Sequence, residues 1–307
     1  MMICASRRTD IPAFHSEWFM NRLRAGYVLV RNPVHRSTVY RVDLTPRNVD
    51  CIVFITKDPR PIIPFLDEID RMGLNYLFQI TITPYGKDVE PGVGSKADIA
   101  DSFRRLSERI GKEHIQWRYD PVLFNDRFDI GYHRRKFETL CRELQGYTER
   151  CTFSFLDMYD KLERSPDSSM LRSATEEEMN AFGQMISEIS ERYGIVPSYC
   201  CARYDLSSYG IRPKGCIDRE MLMSLGIPFE KISSPIRKGC ECVKNIDIGG
   251  YDTCGHDCIY CYANRNTKES RKKKIYSPGS EMLHGTVGPD DEITELSSRT
   301  ALRLSDF

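Results

Sequence analysis

Twelve cysteines are present, and eight of them fall between Cys200 and Cys261. In a reducing compartment, thiols clustered in this way bind metal or react more often than they pair as disulfides. Three close the run Tyr251-Asp252-Thr253-Cys254-Gly255-His256-Asp257-Cys258-Ile259-Tyr260-Cys261-Tyr262-Ala263-Asn264. Their spacing leaves three residues between Cys254 and Cys258 and two between Cys258 and Cys261. Three thiolates on so tight a loop can hold three corners of a [4Fe–4S] cubane. The fourth iron then stays open for a substrate or cosubstrate, as in catalytic rather than structural metal sites. Tyr260 and Asn264 flank the last thiol and are candidate cofactor contacts. A zinc knuckle completed by Cys242 or His256 is the competing use of the same thiols.

Cys201, Cys216, Cys240 and Cys242 form a second candidate set. Four thiolates without a spare position would close a site, as an auxiliary iron–sulfur cluster or as a structural zinc. Cys200 can stand in for Cys201, because adjacent strand residues face opposite ways and only one points to the site. The remaining Cys4, Cys51, Cys141 and Cys151 sit in apolar runs and read as small buried hydrophobes.

The elements that must position these groups follow a repeating order of apolar strand, polar turn, amphipathic helix and glycine. Expected strands are Ile3–Ser6, Cys51–Thr56, Tyr76–Thr83, Ile115–Tyr119, Cys151–Phe155, Ile195–Cys200, Ile227–Ile232 and Ile246–Gly250. Several are continuous apolar runs, as in strands covered on both faces. Ile99, Phe103, Leu106 and Ile110 mark one helical face, as do Phe137, Leu140, Cys141 and Leu144. Met179, Phe182, Ile186, Ile189 and Tyr193 mark a third, opened by a Thr175/Glu178 capping box. Glycines 26, 73, 111, 146, 194 and 226 stop the helices.

Strand–helix alternation of this kind predicts a single parallel (β/α) barrel of TIM or partial-TIM type over residues 1–250. An open doubly wound sheet is the alternative. Tyr27–Asn32 and Val39–Leu44 read as a small paired appendage. Residues 251–307 carry the cysteine loop and a wrapping tail of the same domain.

In such barrels chemistry gathers where strands end. Here those ends offer Arg8, Asp10, Lys57, Tyr85, Arg118 and Asp120 as candidate catalytic residues. Each alone is ordinary turn chemistry. Together they suggest a rim with an excess of cations, suited to an anionic carboxylate or phosphate. Tyr85 or a rim cysteine could donate hydrogen or an electron.

The cysteine spacing and the Tyr260-Cys261 pair resemble the cluster loop of radical S-adenosylmethionine (SAM) enzymes. That resemblance implies SAM chelated at the open iron and cleaved reductively to a 5′-deoxyadenosyl radical. The loop follows the last strand instead of the first, as if the barrel were circularly permuted, which is harmless because those strands are neighbours in a closed barrel. The Gly-Gly-Glu strand of that superfamily has no counterpart, for Gly249-Gly250 precedes the loop and leads into Tyr251. Over nearly its full length the chain also resembles the prokaryotic domain-of-unknown-function family 1848. The resemblance rests on Ser6-Arg7-Arg8-Thr9-Asp10-Ile11-Pro12, Thr56-Lys57-Asp58-Pro59, Trp117-Arg118-Tyr119-Asp120-Pro121 and Asp247-Ile248-Gly249 through Asn264. It implies a radical-SAM-like cysteine cluster and no particular reaction.

Composition limits the remaining choices. The chain is 40% hydrophobic and 29% charged, ample for a large core. Lys+Arg and Asp+Glu are both 44, which argues against a protein that coats nucleic acid or an acidic membrane. No apolar h-region opens the chain and no run approaches a membrane span, so a cytoplasmic protein is expected. The basic Arg271-Lys272-Lys273-Lys274 reads as a solvated run or as a phosphate contact. His256 and His284 read as hydrogen-bonding or surface residues. The expected function is a radical-SAM-like enzyme acting on an anionic small-molecule or nucleotide substrate, supplied with electrons by a donor such as ferredoxin or flavodoxin. A non-radical iron–sulfur protein and a zinc-stapled nucleic-acid-binding module are the rivals.

Overall fold

The computed structural model describes residues 1–200, 204–230, 239–264 and 277–296. In chain order the strands are β1 (Met2–Ala5), β2 (Tyr27–Arg31), β3 (Thr38–Asp43), β4 (Cys51–Thr56), β5 (Tyr76–Thr81), β6 (Ile115–Val122), β7 (Arg150–Phe155), β8 (Val196–Tyr199), β9 (Arg212–Pro213), β10 (Asn245–Asp247) and β11 (Glu292–Leu296). The helices are α1 (Ile11–Phe14), α2 (Ser16–Ala25), α3 (Leu66–Arg71), α4 (Lys96–Ile110), α5 (Ile130–Leu144), α6 (Asp160–Glu163), α7 (Glu176–Tyr193) and α8 (Arg219–Ser224).

Eight strands form one sheet in the order β10-β1-β4-β5-β6-β7-β8-β9. Every neighbouring pair in it is parallel. This is an α/β fold with a helix-flanked parallel sheet, consistent with a TIM-barrel-like arrangement. The two end strands do not pair as strands, but Val243 N–H donates to Ile217 O across the gap between them (3.1 Å).

Strand residues alternate between two apolar layers, as the pleat requires. Ile3, Ala5, Ile52, Phe54, Phe78, Ile80, Trp117 and Phe153 pack with Phe103, Phe137 and Phe182 of the helices. Fully burying each such side chain contributes roughly 1.5–3 kcal/mol. Met2, Cys4, Cys51, Val53 and Leu77 point the other way and meet Ile217, Met221, Leu222, Ile227 and Val243. Further along this second face the residues become polar. Arg118 Nη1 donates to Gln79 Oε1 (3.1 Å), and Thr152 Oγ1 meets Ser198 Oγ (3.0 Å).

Seven of the eight expected strands correspond to sheet strands, with ends shifted by up to three residues. The exception is Ile227–Ile232. Residues 227–230 are not in a strand, and 231–232 lie outside the described residues. The two-residue β9, marked by no apolar run, takes the eighth place. The α4, α5 and α7 faces and the Thr175/Glu178 capping box form as expected. All six glycines expected to stop helices have positive φ.

The β2–β3 appendage also forms, antiparallel. β11 joins it in parallel with β3, so part of the expected wrapping tail is a strand. Trp18 Nε1 donating to Ser280 O (2.8 Å) and the buried Leu283 and Leu296 tie the tail to the core. Cys4, Cys51, Cys141 and Cys151 are fully buried, as expected of small core residues. Among the described residues, no helix is long and apolar enough to cross a membrane.

Candidate metal and cofactor site

Past β10 the chain meets the segments that follow β1, β4 and β5. Asp252 N–H donates to Ala263 O (3.0 Å), and Cys261 N–H to Cys258 O (3.0 Å), which folds the loop on itself. Asp252 and Asp257 take φ of 63° and 52°, the left-handed conformation that Asp tolerates better than most residues. Gly92 N–H donates to His256 O (2.8 Å), and Ile259 N–H to Val89 O (3.0 Å), which docks the loop on the segment after β5. Residue 92 must be glycine for this approach, because a Cβ there would stand 2.2 Å from Gly255 O.

The three loop thiols lie within electrostatic reach of one another. Burial pushes Cys254 well up and Cys258 up to about 12, with Lys57 opposing the rise at Cys258. Cys261 Sγ accepts Ala263 N–H (3.3 Å). Asn264 Nδ2 donates to Cys254 O (2.7 Å), while its buried Oδ1 has no hydrogen-bond partner. Among the described residues, no three His, Cys, Asp or Glu side chains converge as ligands of one metal ion. A cubane does not ask for that convergence, since each thiolate binds its own iron. Three thiols on one short loop are therefore a donor set compatible with a cubane.

Two networks carry charge to the loop. His256 Nε2 meets Asp10 Oδ2 (2.8 Å), which also accepts Lys57 N–H (2.7 Å). Asp10 Oδ1 accepts Ala13 N–H (3.0 Å) and so caps α1. The second network centres on Glu90, whose side chain is fully buried. It takes Lys57 Nζ (2.8 Å) and Thr83 Oγ1 (2.7 Å), together with Lys96 Nζ and Tyr260 OH. Burial alone would raise the Glu90 carboxyl, but the two lysines hold it at about 2. The lysines differ in turn: burial lowers Lys96, whereas Glu90 and Cys258 keep Lys57 above its usual value against the same cost.

Each candidate rim cation has a carboxylate partner. Arg8 pairs with Asp247 (3.2 Å), Lys57 with Glu90, and Arg118 with Asp120, which also accepts Ser154 Oγ. Asp247 and Glu90 come from other segments, whereas Asp120 lies on the same strand as Arg118. Asp247 further accepts Ser6 Oγ (2.6 Å) and Arg7 N–H (2.7 Å); burial opposes its ionisation, and Arg8 and Arg7 hold it low. Among the described residues, Arg7 Nη2 and Arg118 Nε are buried donors without hydrogen-bond partners. The Tyr85 ring meets Tyr260 edge-on, with centroids 6.3 Å apart. The Tyr85 hydroxyl donates to Pro121 O (2.9 Å) and accepts Leu123 N–H (2.8 Å), so it braces the end of β6.

The structure thus joins Asp10, Lys57, Tyr260, Asn264 and the three loop thiols, while Arg8, Arg118 and Asp120 sit in separate pairs. Glu90 and Lys96 are the site residues that sequence reasoning missed. Lys96 begins an ordinary amphipathic helix, and Glu90 lies in a turn-rich stretch with no metal-ligand spacing.

The second thiol set gathers as Cys200, Cys216, Cys240 and Cys242. Cys216 Sγ lies 3.2 Å from Cys200 Sγ, and Cys242 touches both Cys216 and Cys240. Cys201 and the basic run 271–274 lie outside the described residues.

Fold and site define an α/β protein whose parallel sheet carries a three-cysteine loop at the C-terminal ends of its strands. The chain belongs to the family described as Domain of unknown function (DUF1848), matched over residues 2–263. No curated protein matches it. Among solved structures it is similar to one titled a "putative alpha-L-fucosidase" from Bacteroides thetaiotaomicron VPI-5482. That likeness has 8% identity and a TM-score of 0.25 over 66% of this chain and 75% of the other.

Proposed function

We propose that this protein is an iron–sulfur enzyme of the radical-SAM kind. Cys254, Cys258 and Cys261 would hold three corners of a [4Fe–4S] cluster, with SAM at the open corner. When bound, the cluster would supply one electron to the sulfonium. The observation that carries this reading is the loop itself: three local thiols, with no fourth cysteine in the loop, pinned at the strand ends where chemistry gathers in parallel α/β folds.

This chain's own residues have distinct parts in the proposal. Glu90 fixes the Tyr260 ring and the Lys57 ammonium beside Cys258. Asp10 holds His256, and through it the turn between Cys254 and Cys258. Asn264 Oδ1 is left to accept from a bound amino group. Arg7 Nη2 and Arg118 Nε are left to donate to an anionic substrate. In this reading the eight strands close as a barrel, permuted relative to the radical-SAM enzymes. An external donor such as ferredoxin or flavodoxin supplies the electron. Thiolate ligation of this kind also calls for a reducing cytoplasm.

The test is protein prepared without oxygen. The wild type should be brown, and Cys258→Ala should lose about four irons per chain while the sheet stays folded by circular dichroism. A colourless wild type carrying zinc on the loop thiols would overturn the proposal.

A further inference from the structure

The eight-stranded sheet has a seam where β9 and β10 end the strand order without pairing. Cys200 follows β8, Cys216 follows β9, and Cys240 and Cys242 precede β10. Four thiols from three separate stretches therefore meet at this seam. The backbones are close there. A Cβ on Gly215 would stand 2.6 Å from Glu241 O and 2.8 Å from Cys242 Cα.

We propose that Cys200, Cys216, Cys240 and Cys242 bind one zinc ion and that this ion staples the seam. Four thiolates with no open position make a closed, structural site. Contact between the sulfurs favours a single ion over a cubane. Bonds of about 2.3 Å from a tetrahedral zinc set sulfurs roughly 3.8 Å apart, and the 3.2 Å between Cys200 and Cys216 is only slightly less. No three of the described side chains already converge on one ion position, so the thiols must spread to admit it. Binding releases the thiol protons to solvent and leaves two negative charges on the centre. Arg7 and Arg118 lie within electrostatic reach of Cys216 to offset them. Hydrogen bonding across the seam is otherwise confined, in the described residues, to contacts such as Val243 N–H to Ile217 O, so the ion would replace a strand ladder. The proposal does not depend on the loop cluster.

The experiment removes the loop thiols first. In the full chain with Cys254, Cys258 and Cys261 all changed to Ser, metal analysis should find about one zinc per chain and no iron. Adding Cys216→Ser or Cys242→Ser should reduce zinc to near none, whereas Cys4→Ser should leave it bound. If the seam variants do not fold, cobalt(II) exchanged into the loop-thiol variant decides instead. Tetrahedral four-thiolate coordination gives intense sulfur-to-cobalt charge-transfer bands and visible ligand-field bands. Four irons in the loop-thiol variant, no metal at all, or an octahedral cobalt spectrum would each overturn the zinc staple.

Discussion

The loop and the seam both gather cysteines, but the chain brings them together differently. In the loop, three thiols lie within eight residues, and local turns, Gly92 and the Asp10–His256 contact set their positions. In the seam, four thiols come from three stretches, and the order of the sheet sets their positions. The loop is surrounded by charge and leaves Cys254 and Cys261 only half-buried; the seam packs sulfur on sulfur, with Cys240 alone half-buried. The first arrangement suits an open, reactive centre and the second a closed, structural one. Changes at each should therefore separate: loop changes should affect cluster chemistry, and seam changes should affect stability.

The largest expected effect tests how far the loop depends on its charged support. Glu90→Ala leaves Lys57 and Lys96 without their shared carboxylate. It should cost about 3–5 kcal/mol in urea unfolding and reduce iron retention. A loss below about 1 kcal/mol would detach the loop from this network. Acid provides a control outside both thiol sets. Burial pushes His133 down to about 4, where it bridges Tyr119 OH (2.8 Å) and Leu123 O (2.8 Å) in its neutral form. Its folded value lies below the unfolded one, so its contribution is present above about pH 6.5 and lost toward pH 4. The loss is roughly 3 kcal/mol. Burial also lowers His15, which adds to the same slope. Glu90 follows later: its contribution is present above its ordinary range near 4.5 and lost as pH falls toward 2. Unfolding free energies measured from pH 8 to 4 should be flat above pH 6.5 and then decline, and His133→Gln should flatten the decline.

The fold was legible where local pattern and tertiary demand agreed. Cys51–Thr56 reads as a covered strand because both its faces are buried, and it is one. The two-residue β9 had no such signal, because neighbours define it rather than its own residues. The site divides in the same way. Cysteine spacing survives in the sequence, so the loop was legible. Glu90 was not, since its importance comes from Lys57 and Tyr260 arriving from distant segments to join Thr83 and Lys96 at either end of its own turn-rich stretch. The rim cations were legible as strand-end residues, but their partners Asp247 and Glu90 could be paired with them only in three dimensions.

Two glycines sharpen the contrast between loop and seam. Gly92→Ala would place a Cβ against the Gly255 carbonyl, and Gly215→Ala would place one against the Glu241 carbonyl. Each should cost about 1–3 kcal/mol. Gly92→Ala should lower iron content and spare zinc; Gly215→Ala should do the reverse. Equal loss of both metals in both variants would make loop and seam one folding unit. The smallest effect is expected from Tyr85→Phe, which removes a hydroxyl bracing Pro121 and Leu123. Stability should fall by about 1 kcal/mol with SAM cleavage unchanged, and a selective loss of cleavage would give Tyr85 a part at the reacting centre.

The central claim is an open iron held by the three loop thiols. It is tested most directly by the electron paramagnetic resonance spectrum of the dithionite-reduced wild type, recorded before and after saturating SAM. Binding at the open corner should shift the cluster signal, and the same sample should slowly release 5′-deoxyadenosine. A cluster signal that SAM leaves unchanged would contradict the claim and indicate a closed electron-transfer centre.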